Sequence, residues 1–444
     1  MSQSPRQQRG AARTKLPQRD QVEMRFLALD QLLDGDHRAR TVWQYVESLD
    51  LSPLYAAIKA TQDHVGRTPI DPRILFALWL FATLEGVTSA RRLAELCTRD
   101  MAYLWICGGV SVNHHTLSDF RTDHGELLER VLTDSIAVLL HEGLITLETV
   151  AQDGMRVRAS AGSGSFRRAA SLAEAQQQAQ AHLDQLRRQQ EQDEQDGDGG
   201  DRRRQAAQAR AAREKLERIA AAQAALQGMQ ERYDQRSGTP RSEPRASTTD
   251  PDARRMKMGD NGTRPALNVQ LASDGGAQLV VTVEVSSQGS DSGLLRPVYD
   301  DLVERYGVTP TSYLVDGGFS KKEDITHVEH EGTAVYAPLY AEEKQLAEGK
   351  DPYAARAGES PEMTAHRARM GTEAGKTKYR QRAAIAEFPH ADCRNRGLTQ
   401  FRVRGLVKAK AQALWHVLAF NWLRLRNLRC PRREQSYLEV LMAT

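Results

Sequence analysis

Hydrophobic positions in the first third of the chain recur with the period of amphipathic helices. From Leu27 to Gly143, apolar residues stand three and four positions apart, and glycines occupy points where helices would end. We expect an all-α domain over residues 21–145, preceded by a disordered basic arm over residues 1–20. The longest apolar run, ILFALWLFATL, is too short to cross a membrane and predicts a core helix.

Within this region, the stretch TSARRLAELCTRDMAYLWICGG predicts two short helices, and Asn113 can cap a third in VNHHTLSDFRTDHG. Helix-turn-helix spacing of this kind can present a helix to the major groove of DNA. Base contacts would then come from His114, His115, Thr116 and Arg121. A helical bundle without DNA contact explains the same pattern, so both interpretations stay open.

Residues 163–240 are polar, yet apolar residues keep a helical period in two arms. The first arm places Leu172, Ala175, Ala179 and Leu186 at this spacing, and the second places Ala209, Ala212, Leu216, Ile219 and Leu226. The acidic glycine stretch DEQDGDGGD between them would interrupt any helix. We expect an inserted antiparallel helical hairpin, a coiled coil about 35 Å long at 1.5 Å per residue. A disordered linker is the alternative.

The remaining segments alternate between strand and helix patterns. LETVAQD predicts a buried strand ending in Asp153, and ALNVQLAS and QLVVTVEVSS predict a β-hairpin around DGGA. SGLLRPVYDDLVERYG predicts an amphipathic helix. TSYLVD is a short strand ending in Asp316, GGFSKKEDITHVEHEG is a helix, and TAVYAPL is a further strand.

This order of elements brings two aspartates together. A helical hairpin returns its ends close to each other, so it can interrupt a strand connection without changing the pairing of the strands. The first and fourth strands would then be parallel neighbours, with Asp153 and Asp316 at adjacent carboxyl ends. Active sites of open α/β sheets form at that edge. Two adjacent carboxylates repel each other unless a divalent cation neutralises them, which predicts a hard metal ion.

A third oxygen ligand is expected further along the chain. The candidate is Glu387, in a basic stretch that also contains Tyr379, Arg382, Arg394, Arg396, Arg402, Arg404 and Lys408. Glu359, Glu362 and Glu373 are alternatives, although they lie in a polar stretch that contains proline and glycine. Without the two aspartates, Glu387 would be read as a surface glutamate in a salt bridge.

Composition and charge narrow the range of functions that the sequence allows. A chain of 444 residues predicts two or more domains, and 61 Lys and Arg against 58 Asp and Glu give a net charge of only +3. Partners must therefore be inferred from local clusters. Four cysteines without metal-site spacing predict free thiols in a reducing cytoplasm. The sequence contains no P-loop and no G-x-S-x-G motif, which disfavours an ATPase or a serine hydrolase.

Basic residues cluster beside the predicted carboxylates and near the C-terminus. They are Arg156, Arg158, Arg167 and Arg168 after the first aspartate, Lys321 and Lys322 after the second, and the arginines of LRLRNLRCPRR. Contacts of such residues with phosphates would position DNA without reading its sequence.

Several long motifs resemble one family. VAQDGMRVRASAGSGSFRR, TDPDARRMK, LVDGGFSK and AEFPHADCRNRGLTQFRVRGLVKAKAQALWHVLAFNWLR are similar to sequences of DDE transposases from bacterial insertion sequences. The resemblance runs from about Leu27 to Leu428. It implies a ribonuclease H-like catalytic domain with a mixed five-stranded sheet, over residues 146–162 and 241–444, interrupted by the hairpin at 163–240.

The resemblance also implies the site. Asp153, Asp316 and Glu387 match the catalytic triad, and Tyr379, Arg382, Glu387 and Arg394 match a Tyr-Arg-Glu-Lys/Arg signature. Two Mg²⁺ ions, for which Mn²⁺ can substitute, would be bound by the triad. DNA contacts would come from Arg156, Arg158, Lys321, Lys322, Tyr379, Arg382, Arg394, Arg402, Arg404 and Lys408, together with His114, His115 and Arg121.

The implied activity is cleavage and strand transfer of double-stranded DNA at the terminal inverted repeats of the element. The enzyme would be cytoplasmic, would act as a homodimer on its DNA and would not contact a membrane. Two alternatives stay open. One is a metal-dependent nuclease of the same fold that does not transfer strands. The other is a non-catalytic, DNA-binding coiled-coil protein.

Overall fold

The computed structural model describes residues 26–59, 68–195, 202–234 and 243–429. The basic arm predicted for residues 1–20, most of the acidic glycine turn and the end of the basic tail lie outside these ranges. In the described part of the chain, no helix is both long enough and apolar enough to span a membrane.

The N-terminal region is helical. Its elements are a short 3-10 helix (Leu29–Leu32) and α1 (Arg38–Glu47), α2 (Ser52–Ala56), α3 (Pro72–Leu84), α4 (Ala90–Leu96), α5 (Met101–Cys107), α6 (His114–Asp123) and α7 (Gly125–His141). The predicted cap of α6 is confirmed, because Asn113 Oδ1 accepts a hydrogen bond of 2.9 Å from Thr116 N–H. Gly108 ends α5 in the left-handed conformation, with a φ of 57°.

The second third of the chain begins with a long strand and continues into two long helices. The elements are β1 (Thr149–Arg158), a 3-10 helix (Ser163–Ser165), β2 (Phe166–Arg167), α8 (Ala169–Gln195), α9 (Arg202–Asp234) and β3 (Ala246–Ser247). Helices α8 and α9 pack against each other, with Leu172 and Ala222 buried in a shared cluster. Gln223 Nε2 donates to Gln176 Oε1 across this contact at 3.0 Å. The short strands β2 and β3 pair antiparallel near the start of α8.

The rest of the described chain alternates strands and helices. Its elements are β4 (Arg254–Lys257), β5 (Thr263–Asp274), β6 (Val280–Ser286), α10 (Leu295–Tyr306), β7 (Ser312–Leu314), a 3-10 helix (Gly317–Phe319), α11 (Lys322–His330), β8 (Ala334–Tyr336), α12 (Glu342–Ala347), α13 (Pro361–Gly371), α14 (Glu373–Asn395) and α15 (Leu406–Arg429).

Five strands form a mixed sheet in the order β6, β5, β1, β7, β8, and β4 extends the β6 side of β5. Strand β1 runs antiparallel to β5 and parallel to β7, and β7 runs parallel to β8. The mixed sheet and the parallel pairing of the two aspartate-bearing segments are therefore confirmed. The architecture is compatible with an α/β fold of the ribonuclease H-like type.

One prediction about β1 is wrong, because the strand does not end at Asp153. It continues to Arg158, since its partner β5 is long enough to pair with every residue from Val150 to Arg158. The Asp-Gly pair, a common turn sequence, lies in the middle of the strand, where Gly154 pairs with Gln270.

Helix α15 connects the N-terminal helices to the sheet. Its Trp415 ring lies 4.8 Å from the Phe76 ring of α3, measured between centroids. Further along, the Asn421 side chain accepts from Val280 N–H at 2.9 Å and donates to Val280 C=O at 2.7 Å. Asn421 thus binds both backbone polar groups of the first residue of strand β6. Apolar residues of α3, α15 and the sheet belong to one continuous core. The helical region is therefore packed directly onto the sheet that carries the candidate site.

Candidate active site

Asp153 and Asp316 are brought together by the register of two parallel strands. The last residue pair shared by β1 and β7 is Ala151 with Leu314, and each aspartate stands two residues beyond it. Asp316 caps the short helix that follows, accepting from Gly318 N–H at 2.7 Å. Asp153 accepts from the N–H of its neighbour Gly154, also at 2.7 Å. Both carboxylates thus lie at the same level of the sheet.

Asp153 is mostly buried, and charges of both signs lie near its carboxylate. Its side chain is 16% exposed, and Arg382 Nη1 lies 3.3 Å from its Oδ2. Burial raises the pKa of the Asp153 carboxyl to about 6. The Gly154 hydrogen bond and the Arg382 charge oppose that rise, whereas the charges of Asp316 and Asp291 add to it. The ionised form of Asp153 therefore needs more positive charge than Arg382 supplies.

Glu387 reaches the same place from helix α14. Arg382 Nη2 lies 3.1 Å from Glu387 Oε1, so one guanidinium joins Glu387 to Asp153. The Glu387 side chain is 61% exposed and free to change its rotamer. Tyr379, one turn before Arg382, is half-buried, and its hydroxyl oxygen accepts a hydrogen bond from Arg382. Burial raises the pKa of the Tyr379 hydroxyl.

The other glutamates considered from the sequence point elsewhere. Glu359 is held by Arg367 at 2.6 Å and by Lys322 at 3.1 Å, and Glu362 faces His330 at 3.6 Å. Glu373 lies at the start of α14 beside Lys376. Of the four, Glu387 is the one that shares a partner with Asp153.

The sequence interpretation missed Asp291. This aspartate lies after β6 with a side chain only 10% exposed, and it is held by two amides: Asn268 Nδ2 at 2.7 Å and Gln270 Nε2 at 2.9 Å. Arg156 Nη2 approaches its other oxygen at 3.4 Å. A Cβ on Gly154 would overlap the Asp291 carboxylate.

Asp291 and Asp153 are related by the pleat of β1. Neighbouring strand residues face opposite sides of the sheet, so the carboxylate of Asp291 stands where a Gly154 side chain would be and Asp153 faces α14. A signal for this site was present in the sequence. Asn268 and Gln270 interrupt an apolar strand with two polar residues on one face, and such buried amides require a partner.

Comparison with known families gives two matches. Residues 27–123 match the family described as Transposase domain (DUF772), and residues 235–422 match the family described as Transposase DDE domain. The second match contains Asp291, Asp316 and Glu387, and Asp153 lies upstream of it.

The chain is a DDE transposase by family. No curated protein matches the transposase in a sequence search. No solved structure matches it either.

The basic residues expected to contact DNA differ in accessibility. Arg158, Arg394, Arg404 and Lys408 are exposed, as is Arg402. Arg156 is engaged with Asp291 and Gly289 C=O, Lys321 with Asp324, Lys322 with Glu359, and Arg168 with Glu243.

Arg121 is placed differently from the expectation of base contact. It is 6% exposed, donates to Thr88 C=O at 2.8 Å and stacks on Trp79, with its guanidinium carbon 5.1 Å from the ring centroid. Burial, together with the charge of Arg402, lowers its pKa to about 10. Its position in the interior argues against an insertion of this side chain into a DNA groove.

The donor set of the transposase fits a hard divalent cation chemically. Arg382 contacts the carboxylates of Asp153 and Glu387, and the Asp316 carboxylate follows the neighbouring strand β7. Carboxylate oxygens are the ligands that Mg²⁺ prefers. In this arrangement Arg382 occupies the place of a cation between Asp153 and Glu387. Among the residues that the structure describes, no three acidic, histidine or cysteine side chains converge as ligands of one ion. Glu387 would therefore have to exchange Arg382 for the metal.

Proposed function

We propose that this transposase binds the ends of an insertion sequence and catalyses metal-dependent DNA strand cleavage followed by strand transfer. The observation that carries the proposal is the equivalent placement of Asp153 and Asp316, each two residues past the last pair of the parallel strands β1 and β7, with Glu387 linked to Asp153 through Arg382. Asp153, Asp316 and Glu387 would hold the metal, with Mg²⁺ as the expected ion and Mn²⁺ as a substitute.

Bound divalent ions would supply charge neutralisation at the attacking and leaving oxygens of an in-line phosphoryl displacement. The protein groups have separate tasks. Asp153 provides negative charge from strand β1, and Asp316 provides it from the helix cap that follows β7. Asp291 adds to that field from the opposite face of β1. Arg382, once released by Glu387, is placed to bind a non-bridging phosphate oxygen of the DNA.

DNA would cross the edge of the sheet beyond Asp153. The exposed Arg158, Arg394, Arg404 and Lys408 are the groups proposed to neutralise phosphates there, and a homodimer would hold the two element ends together. Helices α8 and α9 offer a coiled-coil surface for that pairing. The proposed domains are a helical domain over residues 21–145, a catalytic domain over residues 146–162 and 241–444, and an inserted hairpin over residues 163–240.

The test is cleavage of labelled double-stranded DNA that carries the sequence flanking the coding region, in Mg²⁺, by wild type and by Asp153→Asn, Asp316→Asn and Glu387→Gln. Each variant should bind the DNA as wild type does and lose cleavage by a factor of at least ~10³, because a metal ligand is removed. Glu373→Gln, an exposed glutamate on the same helix as Glu387, is the matched control.

The outcomes separate the alternatives. Normal cleavage by Glu387→Gln alone would move the third ligand elsewhere. Cleavage by wild type without strand-transfer products on a plasmid target would favour a nuclease. Binding without cleavage in any divalent metal would leave a DNA-binding protein without catalysis.

A further inference from the structure

A positively charged pocket lies between the N-terminal helices and the segment that follows α14. Its volume is about 540 Å³, and it is lined by residues from three separate parts of the chain: Ser89, Ala90, Arg91, His114, His115, Ser118, Arg121 and Arg402. His114 and His115 form the first turn of α6, where free N–H groups and the helix dipole favour an anion. No acidic side chain is among these lining residues.

The buried Arg121 is a second and independent sign of an anion site. Its side chain is more than nine-tenths buried, and its Nε atom has no hydrogen-bond partner within the described structure. Burial lowers the pKa of Arg121, and the charge of Arg402, which lines the same pocket from a distant part of the chain, lowers it further. Folding thus holds two guanidinium groups together in a place without a carboxylate, an arrangement that a bound anion would stabilise.

The pocket is connected to the strand that carries Asp153. Arg158, at the end of β1, accepts from Phe401 N–H at 2.8 Å and donates its own N–H to Thr399 C=O at 3.2 Å. Arg402 follows directly. Arg158 lies five positions after Asp153 along the strand, which is about 17 Å at 3.3 Å per residue. At 3.4 Å of rise per nucleotide, that length corresponds to about five base pairs of duplex.

We propose that this pocket binds a backbone phosphate of the DNA, several nucleotides away from the phosphate that is cleaved. The proposal rests on the proposed function, since it takes DNA as the substrate, and it replaces base reading by α6 with phosphate positioning. Arg91 and Arg402 contribute charge from the two sides of the pocket, and Arg121 forms its charged floor. A phosphate contact of this type fixes the position of DNA on the protein independently of sequence.

The experiment measures binding of a fluorescent 30-base-pair duplex in EDTA over a series of salt concentrations. It compares wild type with the double variant Arg91→Gln/Arg402→Gln. Both residues are exposed, so removing their charges should not unfold the protein. Arg130→Gln/Arg380→Gln, two exposed arginines that do not line the pocket, is the matched control for the loss of two charges.

The double variant should bind DNA about tenfold more weakly than the control at 100 mM salt, with the slope of log K against log salt reduced by about one. An affinity and a slope equal to those of the control would overturn the pocket assignment while wild type still binds and cuts. Failure of wild type to bind DNA would instead overturn the proposed function.

Melting temperatures measured in inorganic phosphate distinguish a DNA phosphate from free phosphate as the occupant of the pocket. If phosphate raises the melting temperature of wild type but not of the double variant, while the salt slopes for DNA agree, the pocket binds free phosphate and the DNA assignment is wrong. If the DNA slopes differ as expected, thermal stabilisation by phosphate in wild type alone further supports a site for a phosphate group.

Discussion

Asp153 and Asp316 each stand two residues past Ala151 and Leu314, the last residue pair of the parallel strands β1 and β7. The two strands then behave differently. β7 stops at Leu314 and turns into a capped 3-10 helix, whereas β1 continues along β5 to Arg158. Asp153 is therefore held by the pairing of β1 with β5, and Asp316 is held as the cap of the 3-10 helix. The two carboxylates are fixed by separate backbone constraints that meet at one level of the sheet.

Replacement of Arg382 by glutamine should shift the pH dependence of cleavage. The positive charge of Arg382 lowers the pKa of Asp153, which burial has raised to about 6. Without that charge the pKa rises further, and more Asp153 is protonated at a given pH. We expect the acidic limb of the pH–rate profile, measured at subsaturating Mg²⁺, to move upward by about half a unit or more.

The control for this change is Arg380→Gln, which removes an exposed arginine from the same helix. Its profile should coincide with that of wild type. A profile of Arg382→Gln that keeps its midpoint and falls only in height would contradict the electrostatic role and assign Arg382 to phosphate binding alone.

Asp291→Asn should move the same limb in the opposite direction. The negative charge of Asp291 raises the pKa of Asp153, and asparagine removes that charge while its Oδ1 can still accept from Asn268 and Gln270. The midpoint of the cleavage profile should therefore fall by a few tenths of a unit, with folding preserved. Asp184→Asn, a partly exposed aspartate on α8, should leave the profile unchanged. An upward shift, or no shift with full activity, would remove Asp291 from the site.

The periodicity of apolar residues was sufficient to predict most elements that carry the site. It indicated the hairpin of β5 and β6. The residue type of Asn113 indicated the N-cap of α6, and the order of elements indicated the parallel pairing that joins Asp153 to Asp316. These features depend on local pattern and on the order of elements, both of which a single sequence contains.

What the sequence could not provide depends on partners that are distant in the chain. The pattern predicts a strand that ends at Asp153 because the apolar run stops there and a glycine follows. Gly154 is instead required inside the strand by the carboxylate of Asp291, which lies 137 positions later. The sequence assigns Arg121 to base contact because it lies in the segment with helix-turn-helix spacing around His114. Its burial arises from packing against Trp79 and from α15, which pattern alone does not reveal.

Gly154→Ala tests the close packing behind Asp153. The added methyl group would overlap Asp291 Oδ1 and Gln270 Nε2, so the clamped carboxylate must move or β1 must shift. We expect a loss of about 2 kcal/mol in the free energy of unfolding, measured in urea, and a large loss of cleavage. Gly162→Ala is the control, since nothing lies within 4 Å of the added Cβ and its φ of −86° suits alanine. Equal stability of the two variants would contradict the proposed crowding.

Asp153→Asn should stabilise the folded protein at alkaline pH and have little effect in acid. The pKa of Asp153 is about 6 in the folded state and 3.8 in the unfolded state. Between these values the unfolded chain has released a proton that the folded chain retains, so this group reduces stability as pH rises from about 4 to about 6. Above pH 6 the full cost remains, at most about 3 kcal/mol from the two-unit shift.

Asparagine avoids that cost but also gives up the contact with Arg382, so a net gain of about 1 kcal/mol is expected at pH 8. The measurement is the melting temperature of wild type and variant from pH 5 to pH 8, with Asp184→Asn as the control. The difference between wild type and Asp153→Asn should grow with pH, and added Mg²⁺ should raise the melting temperature of wild type alone, because it binds the folded state through the ionised carboxylate. A melting-temperature difference that is constant from pH 5 to pH 8 would mean that folding does not raise the pKa of Asp153. Stabilisation of both proteins by Mg²⁺ would place the metal site elsewhere.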